Sequence, residues 1–429
     1  MYVKSLKIEN LRSFRTAETS FLAPGIGPDG GGKPPRLFNV NVLLGINGSG
    51  KSTILDAIAL ALLSPLMGST GYRPYALIRR GGAKPAKQAK VSIKVSLGAQ
   101  DFVGARQRQD DYELSARIER RGDVEFVKPG TVDDQWLENL FLDSSPAFFV
   151  AGYGAMRRVE AQGSSEHRGT SRHPRYQRVA SLFEDQFPLA PLRTWLPEWH
   201  GDTQRFDEIV RLIGKLLPPG IKFTGDMESG EYLFRANGAI VPFGALSDGY
   251  RAYLGWTSDL LSHLSTACPP NGRISDMEGV VMVDEVDLHI HPEWQRILIP
   301  KIAKALPRLQ FIFTTHSPII VGTLERANIW IVENVRGRPV ISRPEEEVFG
   351  LSADQILRSD LFGLDSTRDV GFTQELDKVA QQAVSGDAGA AMTFMRMAAR
   401  GESGTVGRQL KSARVDAPEW LRKLATGEG

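Results

Sequence analysis

An alternating apolar run, Phe38-Asn39-Val40-Asn41-Val42-Leu43-Leu44, leads into Gly45-Ile46-Asn47-Gly48-Ser49-Gly50-Lys51-Ser52, and a nearly unbroken apolar stretch follows through Leu63. The first run predicts a strand and the last a buried helix. The loop between them carries every fixed residue of a phosphate-binding loop in the strand–loop–helix setting that motif requires. Glycines 45, 48 and 50 let successive backbone N–H groups turn inward around phosphate oxygens, and the positive end of the following helix points to the same place. Lys51 is expected to bridge the β and γ phosphates of a nucleotide. The Ser52 hydroxyl is expected to ligate Mg²⁺, because a small hard cation takes oxygen donors and shares itself between protein and triphosphate. The alternative, a glycine-rich turn before a core helix, is disfavoured by the two flanks.

A chain of 429 residues has room for roughly two to three domains, and 41% hydrophobic with 24% charged residues is a globular composition. The formal charge of +2 leaves no global attraction for nucleic acid, so any basic surface has to be local. Cys268 is the one cysteine, which excludes an internal disulfide and suits a reducing cytoplasm. The first ten residues are charged every few positions, unlike a secretory leader, and no apolar run reaches the length of a membrane span. The expectation is a cytoplasmic protein with no membrane partner.

Along the chain, a strand is expected over residues 2–8 and a glycine and proline loop over 23–35. Between residues 71 and 90 lie Arg73, Arg79, Arg80, Lys84, Lys87 and Lys90 with no acidic residue, interleaved with Tyr72 and Tyr75. Such a run is either a solvated face or a contact for a polyanion such as DNA. Alternation over 91–97 and 112–118 predicts a half-exposed antiparallel side sheet. Residues 148–154 read as a buried strand, 161–173 as a polar loop and 176–217 as a helical insertion, too short and irregular in heptads for a coiled coil. Asn237-Gly238 between two apolar runs predicts a hairpin, and the region from Ser352 onward reads as helices with loops at 384–389 and 401–407. The expected segments are a lobe with the phosphate loop and side sheet over 1–160, the insertion over 161–220, a second lobe over 221–350 and a helical region over 351–429.

Glu278-Gly279-Val280-Val281-Met282-Val283-Asp284-Glu285 is an apolar strand ending in two carboxylates. In triphosphate hydrolysis one carboxylate at such a tip holds Mg²⁺ through water, and its neighbour takes a proton from the attacking water. Asp284 and Glu285 fit these roles in that order. A helix opened by Pro292 then leads to a strand over 309–314, a parallel crossover that ends in Thr315-His316-Ser317-Pro318. His316 is thereby expected at the same sheet edge as the carboxylates and the phosphate loop. Asp287, His289 and His291 stand at alternate positions, but they follow a nucleotide-site carboxylate and precede a helix, which argues against a transition-metal site.

Leu246-Ser247-Asp248-Gly249-Tyr250-Arg251 precedes a helical pattern with Ser247 as its N-cap. With the phosphate loop upstream and the Asp-Glu tip and histidine downstream, it resembles the signature motif of ABC-type ATPases. The chain is most similar to the AAA-type ATP-binding proteins of the SMC and RecF branch, whose beginnings look like Leu6-Lys7-Ile8-Glu9-Asn10-Leu11-Arg12-Ser13-Phe14. The resemblance covers about residues 1–65, 145–200 and 240–370. Within that branch, residues 284–292, Thr315-His316-Ser317-Pro318 and residues 362–368 look like the compact ATPases of bacterial antiphage systems, the Septu type among them. The span from Ser52 to Leu246 is longer than a transporter ATPase needs and lacks the coiled coil of an SMC arm.

This resemblance implies an α/β fold: an ABC-type ATPase head with a mixed or parallel central sheet, an antiparallel side sheet, a helical insertion and a helical C-terminal region. It implies ATP and Mg²⁺ as ligands, with Arg12, Asn47, Gly48, Ser49, Gly50, Lys51, Ser52 and Thr53 contacting nucleotide, Ser52 and Asp284 the metal, and Glu285, His316 and Lys51 in slow hydrolysis. It further implies a head-to-tail homodimer or higher even oligomer in which Ser247, Asp248 and Gly249 act on the partner's ATP, and an effector, nuclease or toxin, encoded nearby. Two departures stand out. Asp248 replaces a common glycine, and Tyr153-Gly154-Ala155-Met156-Arg157 is the best substitute for the usual glutamine loop. A RecF-like repair ATPase clamped on DNA and a nucleotide-stabilised scaffold with incidental hydrolysis are the rival functions. No clustered Asp and Glu strand tips follow Thr323, so any DNA cleavage is expected to belong to another chain.

Overall fold

Val40–Leu44 is buried at all five positions because it lies inside a sheet covered on both faces. The computed structural model describes residues 1–25, 34–81, 85–101, 111–130, 147–159, 173–236 and 238–398. The expectations for Lys84, Asn237, most of the 23–35 loop, residues 161–172 and the 401–407 loop fall outside that set. In chain order the strands are β1 (Tyr2–Leu11), β2 (Phe14–Ser20), β3 (Val40–Leu44), β4 (Gln88–Ser96), β5 (Tyr112–Arg121), β6 (Val124–Pro129), β7 (Val150–Tyr153) and β8 (Arg158–Val159). They continue as β9 (Pro188–Leu189), β10 (Ile221–Glu228), β11 (Glu231–Ala236), β12 (Ala239–Pro242), β13 (Gly279–Val283), β14 (Leu309–Thr315), β15 (Ile329–Val335) and β16 (Arg338–Ser342).

Six of these form the central sheet in the order β16-β15-β3-β14-β13-β7. Every neighbouring pair is parallel except β15 with β16. A second, antiparallel sheet has the order β2-β1-β4-β5-β6, so the side sheet read from two alternating segments gains three further strands. Its inner residues Leu6, Ile8, Val91, Ile93, Leu114 and Ile118 share one core with Ile54, Leu55 and Ile58 of the helix Lys51–Leu62. That helix is buried on all sides, which explains its nearly continuous apolar sequence. Buried amides tie the sheets together: Gln310 accepts from Val3 N at 2.7 Å and donates to the carbonyls of Val3 and Leu22 at 2.7 Å, while Asn41 bonds both backbone groups of Leu22. Such fully satisfied side chains are what a buried polar group requires.

The expected helical insertion is only partly helical. Between residues 174 and 199 it is made of single turns, and its full helix is Thr203–Leu216, capped by Asp202, whose carboxylate accepts from Arg205 N at 3.0 Å. Pro188, Pro191 and Pro197 interrupt the pattern, because proline removes a backbone donor and clashes with the preceding turn. The hairpin pairs β11 with β12, Ala236 opposite Ala239, and β10 joins as a third strand. The chain divides into two compact units, residues 1–356 and 357–429. In the second, helices Val370–Val384 and Ala388–Ala398 pack against each other, with Asp369 capping the first and Asp387 accepting from Gly389 N and Ala390 N before the second. Among the described residues no helix is long and apolar enough to cross a membrane.

Candidate functional site

Parallel strands all deliver their carboxyl ends to one edge. Because β3, β14 and β13 are successive neighbours, at about 4.8 Å per strand their tips fall within roughly 10 Å of one another. From β3 the chain enters the glycine loop. A Cβ at Gly45 would collide with the Val332 carbonyl, and one at Gly50, whose φ is 109°, would stand 2.6 Å from the Phe14 ring. The glycines are therefore demanded by close approach and by left-handed backbone. Lys51 Nζ reaches back across the loop to the carbonyls of Gly45 at 2.9 Å and Ile46 at 3.0 Å. Burial lowers its pKa, and Asp284, Glu285 and Asp287 oppose that shift.

Ser52 Oγ donates to Asp284 Oδ2 at 2.7 Å, and Thr314 Oγ1 donates to Asp284 Oδ1 at 2.5 Å. Both oxygens of a nearly buried carboxylate are thus held, one of them by the first hydroxyl of the phosphate-loop helix. Glu285 N in turn donates to Thr314 Oγ1 at 2.7 Å. Glu285 has φ 45°, a left-handed backbone at a non-glycine residue, which stores about 1–3 kcal/mol. Arg157 donates to the carbonyls of Asp284 at 2.9 Å and Glu285 at 2.8 Å, and burial lowers its pKa to about 10. On β14, Thr315 Oγ1 donates to Asp287 at 2.6 Å and Ser317 Oγ to Gln295 at 2.6 Å, bracketing His316. Burial and the neighbouring Lys51 lower the His316 pKa, so its imidazole is neutral near pH 7.

Arg12 comes to the same region from β1. Its Nη1 bonds Asp56 at 2.7 Å and Thr53 Oγ1 at 3.3 Å, both on the phosphate-loop helix. Burial raises the Asp56 pKa to about 7 even with Arg12 pulling it down. Asn47 and Gly48 are exposed on the loop, and Ser49 is buried beneath it. Asp287 is taken by Thr315, and His291 caps the next helix by accepting from Glu293 N at 3.3 Å. No group of three metal-ligating side chains occurs among the described residues.

Ser247, Asp248 and Gly249 make none of the hydrogen bonds of this cluster. Their helix, Asp248–Ala267, packs beside β7, where Tyr153 donates to Asp259 at 3.0 Å, and β7 lies three strands from β3. Ser247 occupies the N-cap position, yet its hydroxyl makes no capping bond and is exposed; Asp248 pairs with Arg251 instead. A Cβ at Gly249 would collide with the His289 carbonyl, so this glycine seats the helix start against the segment after Glu285.

The basic residues do not make one uniform stripe. Arg73, Arg80, Lys87 and Lys90 are exposed, but Lys90 lies in register between Glu9 and Arg117, and Arg79 Nη1 donates to Gly81 O at 2.6 Å. Tyr72 packs on the Phe183 ring at 4.8 Å, whereas Tyr75 is 76% exposed under the Arg80 guanidinium. Sequence reasoning missed Thr314, Thr315, Gln295 and the buried Glu125. The available signal for the threonines was a polar pair closing the apolar run Phe311-Ile312-Phe313 at the strand tip.

A family described as "AAA domain, putative AbiEii toxin, Type IV TA system" matches residues 40–322. Septu protein PtuA of Bacillus mycoides (strain KBAB4) is 24% identical over 370 residues, which are 85% of this chain and 45% of that protein. A protein of Escherichia coli named "Retron Ec83 probable ATPase" is 39% identical over 89 residues, 21% of this chain and 16% of that one. The expected resemblance to Septu-type ATPases is borne out, and the chain spans less than half the length of these relatives. Among solved structures, the Smc head domain with an extended coiled coil from Pyrococcus furiosus, bound to the C-terminal domain of ScpA, matches with a TM-score of 0.49 and 16% identity over 80% of this chain and 96% of that one.

Proposed function

The chain belongs to the AAA-domain family that matches it over residues 40–322, and from that premise we propose that it is a Mg²⁺-dependent ATPase that dimerises head to tail around ATP and controls an effector protein. The observation that carries this reading is the 2.7 Å bond between Ser52 and Asp284. Two oxygen donors from distant parts of the chain meet at the mouth of a phosphate loop, a donor set that suits a hard cation. Mg²⁺ held by Ser52 and Asp284 would neutralise charge on the β and γ phosphate oxygens. Lys51 and the loop amides bind and orient the triphosphate. Glu285 accepts a proton from the water whose oxygen forms the new bond to the γ phosphorus as the bond to the β-phosphate oxygen breaks. His316, neutral, donates or accepts one hydrogen bond beside that phosphate without adding charge.

The dimer is supported by Ser247, exposed at the start of its helix with a hydroxyl that makes no capping bond. A helix N-terminus with free donors suits an anion, and here the anion within reach is on a second copy. Effector control is supported by relatives named as a Septu protein and a retron ATPase.

The test uses two variants. Glu285→Gln should keep ATP bound and hydrolyse at least ~10²-fold more slowly, the scale on which a lost general base shows itself. Lys51→Ala should lose ATP binding itself. Wild-type turnover by purified Glu285→Gln would remove the base assignment, and unimpaired ATP binding by Lys51→Ala would remove the site.

A further inference from the structure

We propose that Arg157 is a positioning residue for hydrolysis, a clamp that holds the Glu285 carboxylate in place by gripping the backbone carbonyls on both sides of Glu285. This rests on the ATPase reading above and adds a residue to it. The chain leaves β7 beside the strand tip it serves: Asp284 N donates to Tyr153 O at 2.8 Å. It then turns at Gly154, where a Cβ would collide with the Ser181 carbonyl, so packing dictates the turn. The turn brings Arg157 back beneath residues 284 and 285, with Nη1 on one carbonyl and Nη2 on the next. A planar guanidinium offers two nitrogens in a fixed fork, one to each of the successive carbonyls.

The arrangement is a poor way to stabilise a fold. Arg157 Nε is buried without a hydrogen-bond partner, and an unmade bond at a buried donor is unfavourable. The residue gripped is the one in left-handed backbone, whose side chain would face the attacking water. Released from the clamp, Glu285 would relax toward ordinary φ and swing its carboxylate away, while Lys51, Ser52 and the loop stay as they are. In the segment that best substitutes for the usual glutamine loop, Arg157 would act by holding the base.

The experiment compares the full chain with Arg157→Ala and Arg157→Lys. Both variants should bind a non-hydrolysable ATP analogue within about twofold of wild type, while kcat falls by roughly 10²-fold, the drop expected when a reacting group is misplaced by about 1 Å. Millimolar guanidinium should restore part of the Arg157→Ala rate, and methylammonium should not. Independently of turnover, the amides of Val286, Leu288 and Ile290, which bond Thr314 O, Glu285 O and Asp287 O, should exchange hydrogen faster in both variants and slow again for Arg157→Ala in guanidinium. Wild-type rate or wild-type exchange in Arg157→Ala overturns the proposal. So does a parallel loss of ATP affinity, turnover and global stability that guanidinium does not reverse. If wild type itself fails to hydrolyse ATP, the ATPase reading falls, and the exchange measurement still decides whether Arg157 holds the turn.

Discussion

Asp56 is a carboxyl group 4% exposed, one turn into the helix that carries the phosphate-loop lysine. Burial raises its pKa from 3.8 to about 7, although the Arg12 guanidinium stands 2.7 Å away. Two effects oppose each other here, and desolvation of the charged form wins. The sign follows: across the interval between the two values, the folded protein keeps a proton that the unfolded chain has released. Stability from this group is full below about pH 4 and declines as pH rises through about 7. Asp56→Asn should therefore flatten the fall in melting temperature between about pH 4 and pH 7 relative to wild type. Parallel melting curves for the two proteins would show that Asp56 titrates as an ordinary carboxylate.

At the scale of elements, the segment that carries Arg79 and Arg80 hangs from the end of β1 and the turn after it, where Arg12 lies. Leu11 and Ile78 form an antiparallel bridge, Arg12 N donates to Leu77 O at 2.6 Å, and Arg79 N donates to Asn10 O at 2.9 Å. Buried Glu125 accepts from Leu77 N at 2.7 Å and pairs with Arg120, completing the suspension. Half-buried Arg79 and exposed Arg80 therefore sit on a rim tied by backbone to Arg12, which pairs with Asp56 of the phosphate-loop helix. If this rim contacts a nucleic-acid backbone, Arg79→Glu with Arg80→Glu should weaken DNA binding and lower the salt slope by roughly 2, about one for each phosphate no longer neutralised. Equal affinity and equal slope for variant and wild type on duplex and single-stranded DNA would leave these arginines as solvated surface. It would also favour an ATPase that grips a protein over one that clamps DNA.

For the whole molecule, the head-to-tail proposal turns on Ser247, exposed and without a capping bond at a helix start that Gly249 seats against His289, in the segment after Glu285. In the Glu285→Gln background, ATP should drive a dimer visible by sedimentation. Adding Ser247→Arg should abolish that dimer while ATP affinity stays within about twofold, since the serine would serve the partner's phosphate and not its own. A dimer that survives Ser247→Arg, or a mass indifferent to ATP, would leave the head-to-tail mechanism without support.

What the sequence by itself determined is whatever is local. The glycines, Lys51 and Ser52 of the loop, the strand ending in Asp284-Glu285, the crossover to His316 and the α/β class are each written in a contiguous run whose pattern has one economical reading. The helical insertion was legible in the apolar spacing, but not that prolines divide residues 174–199 into short turns around a two-residue strand, Pro188–Leu189. Only the tertiary structure decided which distant residues answer one another: Ser52 to Asp284, Thr314 to both members of the carboxylate pair, Arg12 to Asp56 and Arg157 to the backbone at Glu285. The reason is physical. A hydrogen bond between residues far apart in the chain leaves no periodic mark on either, because its geometry is set by strand order and by the turn at each sheet edge.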